Sequence, residues 1–120
     1  MRHTTLTLVF ATLLATSAAQ AQPAQGYTGP SHVPLMTVKQ LLDTGRDDQH
    51  ARLQGRILAH EGGERYTFAD DSGRMTVEID AKDFPAGQAI GADQRVELHG
   101  EFEKGLRKVE FEVDSVTVLR

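Results

Sequence analysis

Carboxylates dominate the residues of this chain that could do chemistry. Three of them, Asp70, Asp71 and Asp80, cluster around one predicted turn, Asp70-Asp71-Ser72-Gly73. A second set lies at the outward positions of two alternating segments near the C-terminus, at Glu97, Glu101, Glu103, Glu110, Glu112 and Asp114. Because alternate residues of a strand share a face, two antiparallel strands would crowd this second set onto one surface. Such a surface would attract a cationic ligand.

Basic side chains offer an alternative reading of the second set. Cross-strand pairing would neutralise the acidic surface if nearby cations lay opposite it. The candidates are Arg52, Arg56, Arg95, Lys104, Arg107 and Lys108. The sequence leaves both readings open. A patch that stayed unpaired would indicate that it is kept for a cationic partner.

No pattern typical of catalysis or of a metal centre is found. The serines at 31, 72 and 115 lie outside nucleophile motifs, and a chain of 120 residues has little room for a glycosidase cleft. The histidines at 32, 50, 60 and 99 lack the close spacing of transition-metal ligands. Asp70-x-Ser72-Gly73 is too short for a calcium loop and is typical of an Asx turn. We therefore predict no enzyme, no cofactor and no specific metal site.

Five short segments of alternating polarity must position these side chains. The first three form a meander, with apolar alternation from Ala51 to Ile57, at Tyr66 and Phe68, and from Met75 to Ile79. The last two span residues 94–102 and 109–118, and their phase predicts a bulge near Asp114-Ser115. A helix capped by Thr37 and ended by Gly45 precedes them. We predict a mainly β, five-stranded Greek-key barrel of the OB type with one short N-terminal helix, or alternatively a small sandwich or SH3-like barrel.

The N-terminal part has the features of an export signal. Arg2 and His3 precede an apolar run from Leu6 to Leu14, and Ala19-Gln20-Ala21 suits signal peptidase. We predict a signal peptide at residues 1–21, a flexible arm at 22–36 and the OB-fold domain at 37–120, with an uncleaved anchor as the alternative. The run is too short to be kept as a membrane span. The chain has no cysteine, so no disulfide stabilises the domain.

Net charge excludes some partners. Removal of residues 1–21 would leave 12 Lys and Arg against 17 Asp and Glu, a formal charge of −5. An acidic chain repels nucleic-acid phosphates and anionic lipid headgroups. The outward positions of the second and third strands also lack the aromatic side chains on which single strands stack. We predict no nucleic-acid partner.

The order of these motifs resembles the bacterial OB-fold (BOF) family of periplasmic stress-tolerance proteins. The resemblance spans nearly the whole chain after residue 21. It rests on Gly26-Tyr27-Thr28-Gly29-Pro30, Leu53-x-Gly55-x-Ile57, Tyr66-x-Phe68-x-Asp70-x-Ser72-Gly73-x-x-x-Val77-x-Ile79-Asp80, Val96-Glu97-Leu98-x-Gly100-Glu101, Lys104, Val109-Glu110 and Val113. His50 and the region of Phe84 depart from it, since family members often carry tryptophan there. The resemblance implies an exported barrel involved in envelope stress tolerance, without known catalysis.

These observations predict a periplasmic binding module for a small cationic molecule or peptide, or for a glycan. The alternative is a structural protein that docks on an envelope protein and has no small ligand. Seven residues are the candidate ligand contacts, in two groups: Asp70, Asp71 and Asp80 at the second turn, and Glu101, Lys104, Glu110 and Glu112 on the last two strands.

Overall fold

The computed structural model describes residues 32–120. Along the chain, the helices and strands are β1 (Leu35–Met36), α1 (Val38–Thr44), β2 (Gln49–Gly62), β3 (Arg65–Asp70), β4 (Gly73–Ile79), a 3₁₀ turn (Ala81–Asp83), β5 (Val96–Lys104) and β6 (Val109–Val118). The predicted signal peptide and most of the predicted arm lie outside the described residues. Within residues 32–120, no helix is long and apolar enough to cross a membrane.

Strands β2 to β6 close into a barrel. Antiparallel pairs join β2 to β3, β3 to β4 and β5 to β6, whereas β4 and β6 run parallel. Strand β2 is long enough to pair with β5 through its first half and with β3 through its second half, and the β2–β5 pair closes the sheet. This order confirms the predicted five-stranded OB-type barrel with one short helix.

Inward side chains from every strand form one core. Phe68, Phe102 and Phe111 are its largest members and are fully buried. The predicted bulge is present, because the β5–β6 register pairs His99 with Ser115 but Gly100 with Val113, which leaves Asp114 unpaired. This extra residue shifts the phase of β6 and keeps Val116 in the core.

Strand β1 was not predicted. Leu35 and Met36, at the end of the predicted arm, pair parallel with Arg52 and Leu53 of β2. The Arg52 amide donates to the Pro34 carbonyl, and the Arg52 side chain donates to the Val33 carbonyl. A two-residue strand shows no alternation that a sequence pattern could register, which is why the prediction missed it.

Two glycines mark places where strands approach too closely for a side chain. A Cβ at Gly55 would overlap the Ala69 carbonyl oxygen, and a Cβ at Gly100 would overlap the Glu112 carbonyl oxygen. The same Gly100 Cβ would lie 2.8 Å from the Phe111 ring. The overlapping atoms belong to the backbone and to a buried ring. An added side chain would therefore force the strands or the core to move.

We expect Gly100→Ala to lower the free energy of unfolding by about 2–3 kcal/mol, the upper part of the range for overpacked cores. Urea unfolding followed by circular dichroism would measure the change. Gly105→Ala is a matched control, because a Cβ at Gly105 meets no atom closer than 3.6 Å. Equal stability of Gly100→Ala and the wild type would contradict the close approach of β5 and β6.

Candidate functional site

Pairing of the strands gathers carboxylates on one outer surface of the barrel. Glu103 of β5 lies opposite Glu110 of β6, and Glu112 of β6 lies opposite both Glu101 of β5 and Glu78 of β4. Carboxylate oxygens of Glu78, Glu103 and Glu110 all lie within 4.8 Å of one another. We call these three residues the carboxylate cluster. The predicted crowding of acidic side chains is therefore present, and it extends to a third strand.

Glu110 is the unusual member of the cluster because its side chain is fully buried. Neither carboxylate oxygen accepts a hydrogen bond from any residue in the described part of the chain. Both oxygens lie in ion pairs instead: Oε1 with the Lys108 ammonium, and Oε2 with an Arg65 guanidinium nitrogen 3.8 Å away. The Lys108 and Arg65 side chains are 54% and 53% exposed, so these cations can leave without unpacking the core.

Like charges around the cluster alter the protonation of its neighbours. A hydrogen bond shared with Glu103, together with the charges of Glu103, Glu78 and Asp114 and some burial, raises the pKa of the Glu112 carboxyl. The pKa of Glu64 is raised chiefly by the charge of Asp80, then by burial and a hydrogen bond to Asp80. This surface therefore carries unrelieved negative charge, which a bound cation would relieve.

Most of the cations considered as neutralising partners lie elsewhere. Arg52 pairs with Glu97 at 3.1 Å, and Glu97 also bonds to His99 and Gln54. Within residues 32–120, Lys108 is the only member of the predicted neutralising set in an ion pair with the carboxylate cluster. The backbone amide of Lys104 donates to Asp47, and Glu101 is half-buried opposite His50 and Glu112.

The two predicted groups of ligand contacts do not form one site. Asp70 is the last residue of strand β3 and Asp71 follows it, whereas the carboxylate cluster adjoins the first residue of β3, Arg65. Five residue steps along a strand correspond to roughly 17 Å. Asp80 lies nearer the cluster, but one of its oxygens caps the 3₁₀ turn by accepting from the Lys82 amide.

The Asp70 carboxylate joins helix α1 to the β3–β4 turn through hydrogen bonds. One carboxylate oxygen accepts from the Val38 amide, and the other accepts from the Ser72 amide, the Ser72 hydroxyl and the Gly73 amide. Ser72 Oγ in turn accepts from the Lys39 amide. Partial burial opposes ionisation, but these hydrogen bonds outweigh it and hold the pKa of Asp70 below its usual value. The predicted Asx turn is therefore also the anchor of the helix.

We expect Asp70→Ala to lower the free energy of unfolding by about 2–3 kcal/mol at neutral pH, because it removes a charged acceptor from several backbone amides. A carboxyl whose folded pKa is depressed contributes stability above its unfolded pKa of about 3.8 and loses it as pH falls through the folded pKa. The stabilities of wild type and variant should therefore converge in acid. Urea unfolding across pH, with Asp71→Ala as the control, measures this; a difference independent of pH would contradict it.

Two members of the site were missed by the sequence prediction. Glu78 was assigned to an outward face but not to the acidic set, because its neighbour is strand β6, over 30 positions away and parallel to it. Arg65 was likewise not predicted to pair with Glu110. The alternation of β4 and β6 was visible, but the parallel β4–β6 pairing that juxtaposes their acidic positions follows only from barrel closure.

Comparison with known proteins agrees with the barrel geometry. The model of the family described as "Bacterial OB fold (BOF) protein" matches residues 13–118. The chain belongs to this family. Among family relatives, the Calcium-regulated OB-fold protein CarO of Pseudomonas aeruginosa is 39% identical over 97 residues, covering 81% of this chain and 83% of the relative. Protein YgiW of Escherichia coli K12 is 33% identical over 123 residues, covering 89% and 94%.

Two solved structures share the fold of this chain. The structure of YgiW from E. coli superposes with a TM-score of 0.67 at 27% identity, covering 76% of this chain and all of that chain. The telomere capping protein Ten1 from Saccharomyces pombe gives a TM-score of 0.58 at 15% identity, covering 72% and 80%. The similarity to Ten1 shows a shared fold and nothing about function.

Proposed function

We propose that this chain is an exported, non-catalytic binding module of the bacterial envelope whose acidic surface binds a cation. The observation that carries the proposal is Glu110, a fully buried carboxylate whose oxygens lie beside those of Glu78 and Glu103. Burying a carboxylate is costly unless positive charge compensates it. Two half-exposed side chains supply that charge, and a ligand can replace them.

The donor set favours a hard divalent cation, with Ca²⁺ as the first choice. Carboxylate oxygens suit Ca²⁺ and Mg²⁺, and the cluster contains neither the imidazole nor the thiolate ligands that favour softer metals. Oxygens that bind Ca²⁺ at about 2.3–2.6 Å lie at most about 5 Å apart, which agrees with the 4.8 Å limit of the cluster. The name of the relative CarO, "Calcium-regulated", is a further reason to test calcium first.

The position of the cluster within the barrel supports a binding role. OB folds bind ligands on the face of their second and third strands, between the loops that follow the first and fourth strands. In this chain those strands are β3 and β4, and the cluster lies between Arg65 at the start of β3 and the β5–β6 turn. Acidic residues on this face would repel nucleic-acid phosphates, so the face suits a cation.

Export and a role in envelope stress tolerance form the rest of the proposal. The basic start, the apolar run and the Ala19-Gln20-Ala21 sequence support cleavage after residue 21 and a periplasmic location. A small cationic peptide and a glycan remain the other ligand classes, and docking on an envelope protein remains the alternative function.

Calorimetric titration with CaCl₂, MgCl₂ and a cationic peptide would test the proposal. We expect saturable Ca²⁺ binding that weakens about tenfold or more in Glu78→Gln plus Glu103→Gln, because two of the three ligands lose their charge. Asp71→Asn plus Glu61→Gln is the charge-matched control and should bind as the wild type does. Equal weakening in both variants would indicate nonspecific attraction, and binding of the peptide alone would identify a larger cationic ligand. No binding at all would favour the docking function.

A further inference from the structure

A second concave surface lies at the other end of strand β3. It is a cavity of about 440 Å³ whose lining includes Gln54, Gly55, Arg56, Ala69, Asp71 and Arg95. An adjoining cavity of about 450 Å³ shares Gln54, Asp70, Asp71 and Arg95 with it. This second cavity extends past Leu35 and Met36 of β1. We call the two cavities together the arginine groove. None of the residues in the carboxylate cluster lines it.

Two arginines line this groove together. The β2–β5 register ends with Gly55 opposite Val96, and extending it by one residue brings Arg56 opposite Arg95. Like charges directly opposite on neighbouring strands are destabilising. Both side chains are exposed, and within residues 32–120 neither takes part in an ion pair or a side-chain hydrogen bond. Among the described residues, the fold therefore leaves two guanidinium groups without an ion-pair partner in this groove.

Two acidic residues also line the groove, and neither is paired with an arginine of residues 32–120. Asp70 is committed to the Val38, Ser72 and Gly73 amides. Asp71 is exposed, and in the described part of the chain its side chain makes no ion pair or hydrogen bond. In this described region, two unpaired guanidinium groups therefore share the groove with two carboxylates, one held by backbone amides and one free.

The shape of the groove suits a small ligand. Gly55 and Ala69, which have little or no side chain, line the groove between the arginines and the β3–β4 turn. Its rim is apolar, since Leu58 and Leu35 are 38% and 49% exposed. A guanidinium binds carboxylate or phosphate through two parallel hydrogen bonds, and an apolar rim favours an apolar group next to the anion.

We propose that the arginine groove is an anion-binding site, and that Arg56 and Arg95 together bind the carboxylate or phosphate group of a small molecule that also has an apolar portion. The site is independent of cation binding at the carboxylate cluster. Its ligand has the opposite charge, and it lies at the opposite end of β3.

Amide NMR titration of the protein expressed from its full-length chain, in buffer free of Ca²⁺ and phosphate, would test the groove. The probes are inorganic phosphate, hexanoate and neutral 1-hexanol. We expect saturable shifts at Gly55, Ala69 and Asp71 with an anion but not with hexanol. Phosphate alone would identify a phosphoryl ligand, and tighter hexanoate would identify an apolar carboxylate; either result supports the site.

Arg56→Gln plus Arg95→Gln should weaken the binding about tenfold or more. Arg107→Gln, which changes an exposed arginine outside the groove and matches each single variant in charge, should leave the binding unchanged. The changed side chains are exposed, and thermal unfolding of each variant verifies the fold. The single variants Arg56→Gln and Arg95→Gln provide the same test if the double variant unfolds. Absence of saturable shifts, or equal weakening in Arg107→Gln, would overturn the proposal. Failure of Ca²⁺ binding would leave this result unaffected.

Discussion

Replacement of Lys108 by methionine is expected to lower the free energy of unfolding by about 2–3 kcal/mol when no divalent cation is present. Lys108 is the nearer of the two cations that compensate Glu110, and its removal leaves a fully buried carboxylate with only Arg65, 3.8 Å away. Breaking a fully buried pair costs about 3–5 kcal/mol. The smaller value applies here because Lys108 is half-exposed and Arg65 remains.

Calcium should restore the stability of this variant. If the carboxylate cluster binds Ca²⁺ as proposed, the Lys108 ammonium competes with the ion for Glu110, so its removal should tighten Ca²⁺ binding. A ligand that binds only the folded state stabilises it by an amount that grows with the ratio of its concentration to its dissociation constant. Urea unfolding at increasing CaCl₂ concentration would measure this, with Lys104→Met as the control, since the Lys104 side chain is in no ion pair within residues 32–120. If the free energy of unfolding of Lys108→Met did not change with CaCl₂ concentration, competition between Lys108 and Ca²⁺ for Glu110 would be contradicted.

Glu110→Gln is expected to abolish most Ca²⁺ binding while changing the free energy of unfolding by less than about 1 kcal/mol. The substitution removes the central charge of the cluster but keeps the side-chain volume. It leaves no buried charge unpaired, because Lys108 and Arg65 reach solvent. A buried ion pair often contributes little net stability, so its neutral replacement is tolerated.

Calorimetric titration measures the loss of Ca²⁺ binding, and urea unfolding measures the change in stability, so the two effects can be separated. The exposed Glu112→Gln is the matched control and should weaken binding less, because Glu112 is outside the cluster. Glu103→Gln, half-buried and opposite Glu110, provides a second test of the cluster. Unchanged Ca²⁺ affinity in Glu110→Gln would exclude this residue as a ligand.

Local patterns in the sequence were sufficient to predict the barrel. Alternation placed Phe68, Phe102 and Phe111 in the core, and the change of phase near Asp114 predicted the bulge that the structure contains. The same holds for helix α1, where Thr37 and Gln40 form the capping box. Each of these features depends on neighbours in the chain or on one hairpin.

The candidate site could be predicted only in part, because it depends on contacts between distant strands. Glu103 and Glu110 face each other across a hairpin, and the sequence indicated their shared surface. Glu78 reaches them only through the parallel β4–β6 pair. Burial of Glu110 was also not predictable, since a glutamate on an outward face is ordinarily exposed. Asp70 was predicted as a ligand contact from its residue type. Its hydrogen bond to the Val38 amide of helix α1 joins residues far apart in the chain, so the sequence did not indicate it.

The most direct test of the central claim is an amide NMR titration of the protein with CaCl₂. Cation binding at the carboxylate cluster predicts saturable shifts centred on Glu78, Glu103 and Glu110, with smaller changes at Arg65 and Lys108 as their ion pairs are released. Shifts confined to Asp70 and Asp71, or no saturable shift at any residue, would contradict a calcium site on this face of the barrel.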